Sequence, residues 1–333
     1  MKFTDFRKSV PIVFMLLLFS VKTLLAEYTS EEFAFIPWGN EPHQLKIDIP
    51  VWLDVNNTPG DSTDDLMEEP PGGPTQLFID RFDNIYVSSY DLNYLKAFNS
   101  SGRLIMDFSY GTPAYDNLLD GASISEFYVD SLSRMFLLTF PPTEYLIVID
   151  TMGNIVDSLN PLGWNSNINL CAMFVNSNDA FSVCTCNREL YTYEGGNFTP
   201  GGAMGRRAID GRYYNAGFED STMIRFIRYS NPGLDGYGSD LQETFVPFFP
   251  YYLSCGLLGV DDNMRVFLSL FDSESRSRIR IYSASYELLD ELVFSAAINK
   301  YSRFTGCHLR NDGTIFELRY MDDGLHIIKW TEQ

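Results

Sequence analysis

A turn that recurs six times constrains this chain more than any other feature. It reads FIDRFDNIYV at 78–87, YVDSLSRMFLL at 128–138, FVNSNDAFSV at 174–183, AIDGRYYNAG at 208–217, GVDDNMRVFL at 259–268 and HLRNDGTIFEL at 308–318. In most copies an apolar run meets an Asp or Asn, a residue that suits a tight turn because its side chain hydrogen-bonds its own backbone. The turn position falls at Asp80, Asp130, Asn176, Asp210, Asp261 and Arg310. That is a period of roughly 50 residues with one short interval, as in proteins built from stacked repeats.

Each clear unit continues the same way: a strand after the turn, a third strand ending in a polar residue, a second tight turn and a fourth strand. Unit two shows it in RMFLLTF, EYLIVID and TMGNIVDSL, and unit five in RVFLSLF, SRIRIYS and ASYELLDELVF. Four short strands per unit, with aromatic residues at 15% of the chain, describe an all-β fold, a six-bladed β-propeller with four-stranded antiparallel blades. Unit six ends one strand short at Gln333. An N-terminal strand from EEFAFIPWGNEPHQLKIDI is expected to complete the last blade and close the ring, since pairing the two ends removes exposed edges.

Unit one resembles an NHL repeat. Asn93-Tyr94-Leu95 in YDLNYLKAFNSSGRL stands where that family carries its Asn-His-Leu signature, and PWGNEPHQL (37–45) followed by GPTQLFID resembles the start of six-bladed propellers of exported bacterial proteins. The resemblance spans roughly residues 33–333, strongest in units one, two and five; units three and four depart from it with CNRELYTYEGGNF and SNPGLDGYGSDL. It implies a bacterial source and binding at the channel or on a loop face.

The domain reading follows. Residues 1–26 have the basic-then-apolar order of a signal peptide, with Lys2, Arg7 and Lys8 before the run Val10–Val21 and a small residue at Ala26. That apolar run is shorter than the ~20 residues a membrane span needs, although Leu24, where a small residue is expected, keeps an uncleaved anchor open. Residues 27–55 form the closure segment, 56–73 an acidic Pro/Gly-rich loop and 74–333 the propeller. The expected address is periplasmic, extracellular or at the cell surface, as a monomer. A formal net charge of −20 repels phosphate backbones and anionic membranes, which argues against a nucleic-acid partner.

Five cysteines in an exported chain leave at least one unpaired within a monomer. A hairpin pairing Val175 with Ala180 would set Cys171 opposite Cys184, so a disulfide Cys171–Cys184 is one expectation and two small buried thiols the other. No catalytic residue is assigned. The chain has no Gly-x-Ser-x-Gly elbow, and GGAMGRRA (201–208) lacks the lysine of a phosphate loop. His43, His308 and His326, the first in the closure strand and the others in different strands of unit six, cannot assemble a zinc site from separate blades. No metal is assigned to the ring of turn carboxylates, which reads as backbone caps. Propellers that resemble gluconolactonases nevertheless hold a divalent cation in the channel, so calcium and a hydrolase or lyase activity form the alternative.

The primary expectation is a non-catalytic binding or scaffold module that recognises a protein, peptide or glycan without a cofactor. Its surface would be the loops joining second to third strands and blade to blade. These carry Tyr110, Tyr115, Trp164, Tyr251 and Tyr252 beside Asp91, Glu219, Asp220, Asp272 and Glu274. Rings beside carboxylates suit a sugar, a peptide or a cationic patch; the competing reading is that the rings seal the seams between blades.

Overall fold

The computed structural model of the protein describes residues 28–46, 73–109, 111–113, 115–116, 123–139, 146–159, 170–177, 180–185, 189–230, 232, 238, 240–247, 252–272, 277–294, 306–321 and 323–333. The expected signal peptide and the acidic loop up to Gly72 lie outside the described residues.

The described chain forms six antiparallel sheets of four strands each. Blade one is β2 (Gln76–Ile79), β3 (Ile85–Ser89), β4 (Tyr94–Phe98) and β5 (Leu104–Ser109); blade two is β6 (Ile124–Val129), β7 (Met135–Thr139), β8 (Leu146–Ile149) and β9 (Ile155–Leu159). Blade three is β10 (Leu170–Ser177), β11 (Ala180–Thr185), β12 (Leu190–Glu194) and β13 (Asn197–Pro200); blade four is β14 (Arg206–Arg207), β15 (Tyr213–Phe218), β16 (Met223–Tyr229) and β17 (Gln242–Pro247). Blade five is β18 (Tyr252–Val260), β19 (Val266–Asp272), β20 (Ser277–Tyr282) and β21 (Leu288–Val293). Blade six combines β22 (Cys307–Leu309), β23 (Ile315–Tyr320) and β24 (Gly324–Glu332) with β1 (Tyr28–Pro37) as its outer strand. The protein is therefore a six-bladed β-propeller, and units three and four, despite their departures from the repeat, are complete blades. Among the described residues no helix is long and apolar enough to cross a membrane.

Burial explains the sequence pattern. Second strands such as IYVSS in β3 and MFLLT in β7 are buried along their whole length, because each is covered on both faces by neighbouring blades; this removes the reason for polar alternation. Outer strands such as β9 and β17 face solvent and are mostly exposed.

The closure strand pairs Tyr28 with Glu332 through Pro37 with Gly324, with a bulge at Phe33. Ala34 and Ile36 are buried in a core that joins blades five, six and one. The strand starts earlier and stops sooner than the sequence suggests. Trp38 turns out of it, donating its indole N–H to the Met321 carbonyl at 2.7 Å. Buried Lys96 of β4 then holds the following turn by donating to the Pro42 and Gln44 carbonyls, both at 2.9 Å. His43 lies exposed in that turn rather than in the closure strand.

Two register expectations are corrected. The β10–β11 hairpin slips at both ends, so Val175 faces Phe181 and Ala172, not Cys171, faces Cys184. Cys171 sits where the register shifts, and its side chain lies outside the described residues. In blade four the turn begins at Ala208 rather than Asp210, since Ala208 exchanges bonds with Arg212 and Gly211. Gly211, at φ 80°, takes the left-handed position that Asp83, Ser133 and Met264 take in other blades.

Candidate functional site

In blades one, two and five the first turn explains what its carboxylate does. Asp80 Oδ1 accepts the N–H groups of Phe82 and Asn84 at 2.8 and 2.9 Å, and Oδ2 accepts from the Asn84 amide and the Tyr86 hydroxyl. Asp130 accepts from the Leu132 and Arg134 N–H groups and from the Arg134 guanidinium at 2.7 Å. Asp261 repeats this with Asn263, Arg265 N–H and the Arg265 guanidinium. These oxygens are committed to turns. Among the described residues no group of three His, Cys, Asp or Glu is arranged to hold a metal ion.

A cavity of about 860 Å³ opens where these turns surround the channel, and residues from all six blades line it. Its inner layer takes one residue from each first strand: Phe78, Tyr128, Val175, Arg206, Gly259 and His308. Each pairs across its hairpin with a buried aromatic of the second strand, respectively Tyr86, Phe136, Phe181, Tyr214, Phe267 and Phe316. The six aromatics wedge between blades and fix the depth at which the layer sits. The pairing also gives the correct alignment of the repeat, which puts Arg206 rather than Ala208 in the layer.

The layer is chemically uneven. Phe78 packs on His308 at 4.5 Å between ring centroids and edge-on against Tyr128 at 6.1 Å, making an aromatic wall on blades six, one and two. Gly259 of blade five, between Arg206 and His308 in blade order, adds no side chain to the layer. A Cβ there would meet Leu309 Cδ2 at 2.8 Å and Arg206 Cδ at 3.9 Å, so a side chain at 259 would press on the Leu309 methyl. Arg206 lines the cavity and is partly buried; desolvation lowers its pKa against the opposing influence of Tyr128. It has no ion-pair partner among the described residues. Burial, then the positive charges of Arg206 and Arg310, push His308 down to about 3, against a hydrogen bond with the Ile79 backbone. The imidazole is therefore neutral at ordinary pH. Arg310 fills the Asp80-equivalent position of blade six and reaches to blade one, donating to the Asp80 carbonyl at 2.7 Å and to Asp83 Oδ1 at 2.5 Å.

The sequence reading placed the site at the opposite mouth. In an antiparallel blade the first and third turns lie at one end, and the second turns and inter-blade connectors at the other. Asp91, Glu219 and Asp220 are exposed at that other end. Glu219 lies 3.8 Å from Arg225, and Asp220 caps its own turn through the Thr222 N–H. Tyr115 does not belong to a ligand face: it is 1% exposed and packs on Phe108 in the seam between blades one and two. Tyr110, Trp164, Tyr251 and Glu274 lie outside the described residues, and Tyr252 and Asp272 are described in backbone alone. The structure therefore does not bring these rings and carboxylates together as a described site. The residues missed were Arg206, His308 and Gly259; the eight-residue step from each to its aromatic partner was the signal that could have found them.

No family model matches the sequence, and no curated protein does. Among solved structures, similarity is found to a calcium-binding regucalcin of Agrobacterium tumefaciens, at 11% identity and TM-score 0.46 over 78% of this chain and 91% of that one. A virginiamycin B lyase of Staphylococcus aureus gives 11% and 0.46 over 92% and 100%. A member of the duf4221 family of Bacteroides vulgatus gives 9% and 0.48 over 93% and 99%. At such identities no ligand or reaction passes to this chain, and its fold rests on its own strand order.

Proposed function

We propose that this protein is an exported, non-catalytic binding propeller that seats part of a peptide, protein or glycan ligand in the channel mouth at the first-turn end. The observation that carries this reading is the layer of six different residues around a cavity of about 860 Å³, a size suited to a small ligand or one segment of a larger one. The rim supports it. Phe82, Leu132 and Ile209, on the first turns of blades one, two and four, are 61%, 66% and 70% exposed, so apolar contact surface surrounds the polar interior.

The alternative, a hydrolase or lyase working through a divalent cation, fits these residues poorly. A hard cation wants several oxygens converging on it. Here the Asp80, Asp130 and Asp261 oxygens are held by turn donors, and the guanidiniums of Arg206 and Arg310 stand in the same channel. His308, pushed down to about 3, is too weak a base for proton transfer near neutral pH.

The test is a peptide and glycan array probed with the mature chain and with Val175→Trp, which narrows the mouth. Ligands retained by the wild type and lost by a folded Val175→Trp support the channel mouth. Equal binding by both would move the site to the opposite loop face.

A further inference from the structure

We infer that the stretch of channel wall carrying Arg206, beside Gly259 and His308, is a subsite for an oxyanion, and that it takes the carboxylate of the ligand that enters the channel. The inference rests on the channel-mouth reading and adds the chemical class of the group bound there.

The sequence makes this stretch of wall by local choices. First strands of blades four, five and six contribute Arg206, Gly259 and His308 at the same level. The glycine adds no side chain between the other two, and the Arg206 stem passes within 3.9 Å of where a Cβ would stand. A guanidinium is a planar fork of donors that matches a carboxylate with two parallel bonds. Arg206 is partly buried and has no carboxylate partner among the described residues. In the same channel Arg310 is already paired with Asp83, and Asp130 with Arg134. Arg81 and Arg207 also line the cavity, but both are exposed on the rim over the Phe82 and Tyr213 rings, so among the described residues Arg206 is the arginine of the inner layer. The rim carboxylates Asp262 and Asp312 are exposed, where water and salt screen them.

His308 completes the subsite without competing for the anion. As a neutral ring packed at a tilt against Phe78, it brings a polar edge and an aromatic wall together. A carboxylate on a flat or apolar body would lay that body along Phe78 and Tyr128 while its charged end meets Arg206. The protein as a whole carries −20, so an anion reaches this site against the overall field; the local cation has to provide the attraction, and the affinity should fall with salt.

The carboxylate could come from a free organic acid or from the C-terminus of a peptide, and the experiment separates them. The imidazole Cε1–H signals of the mature chain are recorded during titration with phenylacetate, with phenylacetamide, with N-acetyl-trialanine bearing a free C-terminus, and with its C-terminal amide. The expected result is a saturable shift of the His308 signal with one or both carboxylates, and at least about tenfold weaker binding of the matching amide. Arg206→Gln should lose that preference and Arg206→Lys keep part of it, while Arg103→Gln, on an exposed turn of blade one, should change nothing. A shift with phenylacetate alone assigns the subsite to organic acids, and with the peptide alone to C-termini. Equal binding of acid and amide would overturn the oxyanion subsite while leaving the channel mouth as a binding site. No shift with any probe would overturn the subsite, and the array with Val175→Trp then decides the channel reading by itself. Should Arg206→Gln not fold, the acid–amide comparison on the wild-type chain still decides.

Discussion

His326 Nδ1 lies 2.7 Å from Glu32 Oε2, so a titratable ring ties β24 to the strand that closes the propeller. Its Nε2 lies 3.0 Å from Asp323 Oδ1, and the Phe35 ring packs 4.8 Å away. Partial burial works against the charged ring, but the two carboxylates outweigh it and the net shift is upward. Because the folded-state pKa is above that of the unfolded chain, the contribution is complete below the unfolded value near 6.5 and is lost as pH rises through the folded value. Both carboxylates are largely exposed, which limits the effect to less than about 1 kcal/mol per pair. Urea melts should show a small loss of stability from pH 5.5 to 8.5 that His326→Gln abolishes. An unchanged slope in the variant would remove His326 from the closure.

His308 should behave in the opposite sense. Its folded-state pKa is depressed, so its contribution is present above the unfolded value and lost as pH falls from there toward about 3. In an NMR titration His308 should remain neutral at pH 5. A His308 signal that titrates near 6.5 would mean that the channel is far better solvated than its walls imply.

Ile36, fully buried where blades five, six and one meet, should be the most sensitive position of the closure strand. Ile36→Ala is expected to cost about 2–5 kcal/mol, read by chemical denaturation. A cost below about 1 kcal/mol would show that the ring holds without this strand.

Lys96 is 3% exposed and holds two carbonyls of the Pro42–Gln44 turn, with Asp107 at 3.6 Å. Lys96→Met keeps the stem and removes the donor, losing two hydrogen bonds from a charged group to this turn at a cost of about 1–3 kcal/mol. Proteolysis within 38–46 should accelerate in the variant, and an unchanged cleavage rate would contradict the anchoring role.

Calcium addition and chelation should leave the melting temperature of the mature chain unchanged, since the channel carboxylates are bound to turn donors. A stoichiometric metal with a chelation-sensitive melt would restore the metal-dependent reading.

The six-fold repeat was legible in the sequence because a tight turn is a local device. Asp80, Asp130 and Asp261 cap their own backbones within four residues, so Asp recurs at the turns of blades one, two and five wherever the chain lies in space. The need for a closing strand was legible for a similar reason, since unit six lacks one strand. What the channel presents was decided only by tertiary structure. Gly211 shifts the blade-four turn back to Ala208 and thereby carries Arg206 into the channel layer, while slips at both ends of the β10–β11 hairpin bring Val175 opposite Phe181. Tyr115, which looked like a surface ring, is buried by packing from a neighbouring blade. A cap is fixed by residues adjacent in sequence, whereas the composition of a channel depends on the register of six separate hairpins and on which blades meet, and no one stretch of the chain contains that information.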